Sequence, residues 1–215
     1  MNFEEIYKIA GPYTVTGANK MRKLYESVIY INENNIAGDY VECGVYKGGS
    51  VMNMALTQLN YDKRVDIYLY DTYEGMTPHT EDDVNHQGVS ARRILKIESK
   101  KCIYSLQDVM RNVNLTGYPI GLLHYIKGDV AITLEQETPE KIALLRLDTD
   151  WYESTKVGLE KLYPKLVKGG VLILDDYGYW LGSRKATDEY FSSIGVKPQF
   201  KPMESGVSGV VYIKE

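Results

Sequence analysis

Cysteine, histidine and phenylalanine are all scarce in this 215-residue sequence, with two, three and three copies respectively. Two thiols, Cys43 and Cys102, cannot staple a domain of this size, so a reducing compartment and a cytoplasmic location are expected. No uncharged apolar run approaches the roughly 18 residues that a membrane span needs. The opening MNFEEIYKIAG is acidic and poor in apolar residues, so it does not read as a secretory signal. Basic residues are not in excess either: 25 Lys and Arg face 29 Asp and Glu, a net charge of -4. Such a chain has no general attraction for nucleic acid, although its acids can still gather around a cation. Repeats, low-complexity tracts and linkers are also missing, which leaves one domain over residues 1–215.

What is present is ordinary globular composition, 44% hydrophobic and 25% charged, with one peculiarity. Tyrosine occurs 19 times against 3 Phe and 2 Trp. Its flat apolar body and polar tip suit clefts for hydroxylated ligands, though a compositional habit of the genome explains the count equally well.

Hydrophobic periodicity gives the architecture. Over Asn19–Ile36, Met21, Leu24, Tyr25, Val28 and Ile31 fall on one face and charged residues on the other, an amphipathic helix that Gly38 ends. Short apolar runs at Tyr40–Val45, Val65–Tyr70, Gly121–Ile126, Ala143–Leu147, Gly170–Leu174 and Val207–Ile213 are predicted strands. Gly49–Leu59, a stretch around Ala91–Asn114, Glu153–Val167 and Arg184–Ile194 are predicted helices. Alternation of this kind predicts an α/β, doubly wound, Rossmann-like fold: a mostly parallel, seven-stranded sheet with helices on both faces. Ligands of such sheets bind beyond the carboxyl ends of the strands. Residues 1–37 would form an N-terminal helical cap. Residues 72–90, long, polar and broken by Gly75, Pro78 and Gly88, would form a mobile lid.

Each strand end carries a distinctive residue. The first, VECGVYKGGS, sets Gly44, Gly48 and Gly49 at a strand-to-helix turn, where a nucleotide-like ligand can approach the backbone. The spacing is not G-x-G-x-x-G, which argues against a pyrophosphate cradle. The second, YLYDTYEGM, places Asp71 where doubly wound folds hold ribose hydroxyls, and the two features together favour an adenosine-type ligand. In YIKGDV, Asp129 after Gly128 could meet the exocyclic amine of a base or cap the helix starting near Ala131. The sharpest signal is the pair LRLDTDWYES and GGVLILDDYG. If those strands are neighbours, Asp148, Asp150, Asp175 and Asp176 converge, and a hard divalent cation such as Mg²⁺ resolves the crowding. Asp150 could instead cap a helix in a box with Glu153, and Asp176 could close a turn before Gly178. Cys43 reads as a buried strand residue rather than a nucleophile. His79 and His86 are either substrate-facing or exposed residues of the lid, and His124 is structural.

VECGVYKGGS, YLYDTYEGM, LRLDTDWYEST and the GG-x-L-I-x-DDYG segment together resemble the macrocin O-methyltransferase (TylF-like) family of class I S-adenosylmethionine-dependent methyltransferases. The likeness runs from about Tyr13 to about Ala186, and PYTVTGANKM resembles the family segment that folds over the cofactor. The resemblance implies Mg-dependent methyl transfer from S-adenosylmethionine to a hydroxyl of a sugar on a small-molecule or glycan acceptor. It implies cofactor contacts from Thr14, Glu42, Gly44, Tyr46, Gly48, Ser50, Asp71, Thr72, Gly128 and Asp129. It assigns Mg²⁺ to Asp148, Asp175 and Asp176, and the general base to Asp150. A catechol-type or other vicinal-diol O-methyltransferase, a nicotinamide-dependent dehydrogenase and a non-catalytic S-adenosylmethionine-binding module are the competing readings. A homodimer is the default expectation for assembly.

Overall fold

In the computed structural model, which describes residues 1–98, 103–206 and 208–215, the strand runs assemble into one seven-stranded sheet of order β3-β2-β1-β4-β5-β7-β6. The strands are β1 (Asp39–Cys43), β2 (Ile67–Asp71), β3 (Leu123–Lys127), β4 (Ile142–Leu147), β5 (Leu166–Leu174), β6 (Lys201–Pro202) and β7 (Val210–Ile213). The first five are parallel; β7 runs antiparallel to both β5 and β6.

Alternation along the central strands explains the layering. In β5, Val171 and Ile173 enter one apolar cluster while Leu172 and Leu174 enter the other. In β4, Leu144 faces the first cluster and Leu145 and Leu147 the second. Side chains of a strand alternate between faces, so a sheet apolar on both must be covered twice. The first face is covered by α2 (Ala18–Glu33), through Met21, Leu24, Val28 and Ile31, and by α3 (Gly49–Gln58). The second is covered by α7 (Tyr152–Leu162) and α8 (Leu181–Ser193), through Leu159, Leu162 and Phe191.

The structure departs from the sequence reading in several places. A further helix, α1 (Phe3–Ala10), precedes the expected one, opened by a capping box between Asn2 and Glu5. The stretch expected around Ala91–Asn114 is divided into α4 (Ala91–Glu98) and α5 (Leu106–Asn114), the second capped by Ser105. Cys102 and Val207 lie outside the described residues. The helix expected over Glu153–Val167 stops at Leu162, because Pro164 lies in the 3-10 turn Tyr163–Lys165 and cannot supply a helical N–H, and Leu166 already belongs to β5. The two-residue β6 has no apolar run to announce it.

The parallel ladder continues one step past the strands. Gly44 N–H donates to the Tyr70 carbonyl at 2.9 Å, Asp148 N–H to Cys43 at 2.9 Å, and Asp175 N–H to Leu147 at 3.0 Å. Gly44, Asp148 and Asp175 therefore leave the sheet at one level. Gly44 has φ +87, and a Cβ there would lie 2.0 Å from the Asp148 carbonyl oxygen. Gly44→Ala is expected to cost about 2 kcal/mol or more, through both the left-handed backbone and the clash. Denaturant unfolding checks this; an unchanged midpoint would contradict it.

Candidate functional site

Beyond that level the strand ends open into a cleft of about 750 Å³, lined among others by Gly44, Asp71, Gly128, Asp148, Asp150 and Asp176. Its floor is set by β4 and β5. Asp148 follows β4 directly, and Asp175 and Asp176 follow β5. One oxygen from each of these three carboxylates lies within 4.8 Å of the others. That spacing and donor set are within reach of one hard, oxygen-seeking cation.

Beneath them sits Arg146, 1% exposed, facing Glu42 of β1 across the ladder. Its guanidinium donates to the Glu42 carboxylate, to Asp175 Oδ1 at 2.7 Å and to Thr16 Oγ1 at 3.3 Å, and pairs with Asp148 Oδ2 at 2.9 Å. Lys20 of α2 reaches across to donate to Asp175 Oδ2 at 2.7 Å and to the Asp175 carbonyl at 3.1 Å. Both carboxylate oxygens of Asp175 are thus engaged by cations. Asp150 is held differently: its backbone is left-handed at φ 65, its amide donates to Asp176 Oδ2 at 2.9 Å, and its Oδ1 accepts from Trp180 Nε1 at 2.6 Å. A non-glycine residue held in that conformation is costly and is often found at functional sites.

Five carboxyl groups, counting Glu42, here meet two fixed cations. Burial pushes Asp148 up to about 6, against the pull of Arg146. Burial and the neighbouring Asp148 push Asp150 up to about 7. Asp176 is raised well above the usual carboxylate range by burial and by the charges of Asp150 and Asp148. At Asp175, burial acts upward too, but Arg146 and Lys20 outweigh it and hold the carboxyl low. The unfilled demand for positive charge lies on Asp148, Asp150 and Asp176, so the donor set fits a divalent metal.

The other side of the cleft is formed by β1 and β2. Asp71 ends β2, and its Oδ2 accepts the amides of Val45 at 2.7 Å and Tyr46 at 3.1 Å. The glycine loop and the acid are therefore tied together directly, and Tyr46, Thr72 and Gly128 line the same space.

Five further residues implied by the sequence lie elsewhere than on the cleft lining. Glu42 is fully buried under Arg146, where burial pushes it up to about 8. Ser50 is buried inside α3, 3.9 Å from the Met21 sulfur. Gly48 caps α3 against Val113, and Thr14 Oγ1 accepts the Thr16 amide at 3.0 Å. Asp129 Oδ1 takes the Ala131 amide at 2.9 Å, capping the short α6 (Val130–Thr133). Cys43 is buried and its thiol pushed up, as suits an inert core residue.

Residues 72–90 approach the cleft with their first half, through Thr72, Glu74, Gly75, Met76 and Thr77. The second half is pinned. Buried Asp83 accepts the Tyr152 amide at the start of α7 (2.8 Å) and the Thr80 amide (2.6 Å). Asn85 bridges to Trp180. The His79 ring meets Trp151 edge-on, and the His86 ring lies against Tyr179; neither histidine lines the cleft. His124 instead bonds Asp66 at 2.6 Å, in the register next to β2.

Arg146, Lys20 and Trp180 are site residues that sequence reasoning passed over. Arg146 had a signal, a lone charge inside the apolar run ALLRL, where an unpaired charge would be costly. Lys20 had none, being one of several charges on the polar face of an amphipathic helix.

Comparison with known proteins bears on this cleft. A family model described as macrocin O-methyltransferase (TylF) matches residues 9–212. The chain is 28% identical over 184 residues to demethyldecarbamoylnovobiocin O-methyltransferase of Streptomyces niveus, covering 84% of this chain and 68% of that protein. It is 28% identical over 189 residues to mycinamicin III 3''-O-methyltransferase of Micromonospora griseorubida, covering 87% and 73%. Among solved structures, the O-methyltransferase NovP superposes with a TM-score of 0.81 at 25% identity, over 94% of this chain and 82% of that one. The calicheamicin methyltransferase CalS11 superposes at 0.70 and 17% identity, over 98% and 90%, a likeness of fold alone.

The raised carboxyls make a prediction for the metal-free protein. A group whose folded pKa lies above its unfolded value lends stability at low pH that is lost as the pH rises through the folded pKa. In chelator, the melting temperature should therefore fall between pH 5 and about 8 as Asp148 and Asp150 ionise, and Asp150→Asn should flatten the fall. A melting temperature rising steadily across that window would contradict it.

Proposed function

The chain belongs to the macrocin O-methyltransferase (TylF) family and is an S-adenosylmethionine-dependent O-methyltransferase, and from that premise we propose that it methylates a sugar hydroxyl with the help of a divalent metal, Mg²⁺ by preference. The observation that carries the metal reading is the meeting of Asp148, Asp175 and Asp176 within 4.8 Å on the floor of the cleft that also holds Gly44 and Asp71. The sugar reading is supported by the relatives, one of which is named a mycinamicin III 3''-O-methyltransferase and another a methyltransferase of a dimethoxyrhamnosyl tetracenomycin.

S-adenosylmethionine supplies a methyl group made electrophilic by its sulfonium. Its adenosine half would lie along Gly44, Tyr46, Asp71, Thr72 and Gly128, with ribose hydroxyls meeting Asp71, whose Oδ1 takes the Tyr73 amide at 2.8 Å and whose Oδ2 takes the two loop amides. Asp148, Asp175 and Asp176 would hold the metal, whose Lewis acidity would make an acceptor hydroxyl easier to deprotonate. Asp150 is the general base: it lines the cleft beside the three metal-holding carboxylates, and in the metal-free protein burial and Asp148 push its carboxyl up to about 7. The Trp180 indole fixes its orientation, and Asp150 is not the cap of α7, whose N-cap is Trp151 and whose first amide goes to Asp83. Residues 72–77 would serve as a lid over the acceptor, anchored at Asp83, and residues 1–37 as the cap.

Incubation with S-adenosylmethionine and a panel of glycosides, with and without chelator, tests the proposal by release of S-adenosylhomocysteine. Turnover is expected to vanish in chelator and return with Mg²⁺. Full turnover after thorough chelation would sink the metal reading, and methylation of catechols but no glycoside would sink the sugar reading. Asp150→Asn is expected to lower kcat by about 10²–10⁴-fold while calorimetric binding of Mg²⁺ persists; a kcat near that of the parent protein would remove Asp150 from its role.

A further inference from the structure

Residues 14–20 run along one wall of the cleft as a strap that leads into the first turn of α2. On the near side, the chain is packed against the start of α3, where a Cβ on Gly49 would meet the Tyr13 backbone at 2.7 Å. One turn further along α3, Met21 is buried and its carbonyl accepts Asn53 Nδ2 at 2.9 Å. Between these anchors, Val15, Thr16, Gly17 and Lys20 line the cleft, with Val15 80% exposed. Among the described residues, two side chains of the strap, Thr16 and Lys20, make three hydrogen bonds to the rest of the molecule, all to Arg146 or Asp175 at the floor of the cleft. Thr16 takes Arg146 at 3.3 Å, a long contact, and Lys20 gives Asp175 two bonds, at 2.7 and 3.1 Å.

We propose that Lys20 is a positioning residue: it fastens the strap over the methyl-donor cleft by way of Asp175, a carboxylate that it must share with the divalent cation. The proposal rests on the metal reading above for its second half only. Asp175 Oδ1 is taken by Arg146 and Oδ2 by Lys20. A divalent cation that uses Asp175 therefore meets a carboxylate with an ammonium on one oxygen and a guanidinium on the other, and like charges that close repel. Lys20 opposes the metal and supports the strap, so its removal acts on the two ligands in opposite directions. By linkage, metal and methyl donor weaken each other through this one side chain.

Calorimetry on the full chain with MgCl₂ and, separately, with S-adenosylhomocysteine tests this. Lys20→Met is expected to bind Mg²⁺ about fivefold or more tighter and S-adenosylhomocysteine about fivefold or more weaker, and hydrogen exchange at residues 14–20 should speed up. Lys20→Arg should restore both affinities toward those of the parent protein. Loss of both affinities together would mark general structural damage and overturn the proposal, as would two unchanged affinities. If the parent protein binds no Mg²⁺, the metal reading fails on its own. The strap is then judged by S-adenosylhomocysteine: weakened binding in both Lys20→Met and Asp175→Asn upholds the fastening, and unchanged binding in either overturns it.

Discussion

The site depends on a cation buried beneath anions. Arg146 is the last residue but one of β4, one strand from Glu42 and one from the end of β5, and its planar fork reaches carboxylates from three adjacent strands. A guanidinium suits this place, since it stays charged when desolvated and presents several donors in fixed directions. Without it, Glu42, Asp148 and Asp175 would share one buried region with Lys20 alone, among the described residues, to offset them. Pairs of this kind contribute little net stability, because desolvation consumes most of the attraction. What Arg146 provides is position: it turns one oxygen of Asp148 and one of Asp175 toward itself and so orients both carboxyl groups.

The same arrangement explains the contrast between Asp175 and Asp150. Both are acids at the ends of neighbouring strands, yet two cations hold one ionised while burial and like charge keep the other near neutrality. Environments that push similar groups apart are what a single cluster would need to supply both metal ligands and a base, as proposed for this one.

Much of this was legible in the sequence. The strands at Ala143–Leu147 and Gly170–Leu174 announced themselves as apolar runs, the first broken by Arg146 alone, and the four aspartates stood within three residues of their ends. The order of the sheet then brought those ends together. Asp71 was legible for the same reason, as the acid closing an apolar run. Less visible were features created by tertiary packing. Nothing local shows that Lys20 would cross to Asp175, or that Trp180 would meet Asp150, because each pair joins elements whose packing the sequence does not state. The segment 72–90 was expected to be mobile from its polarity and glycines. Its second half is tied down by Asp83, whose carboxylate caps α7 from 69 residues away, a long-range cap that composition cannot reveal.

The continuation of the ladder past β1, β4 and β5 has an evolutionary consequence. The acids of the floor take their relative heights from backbone pairing inside the sheet, not from the strap, the segment 72–90 or the outer faces of the helices. Those outer parts can be lengthened, shortened or rewritten while the reacting centre keeps its dimensions. A lineage built this way can pass from one acceptor to another by changing loops alone, and its members would diverge fastest where they touch the molecule being modified.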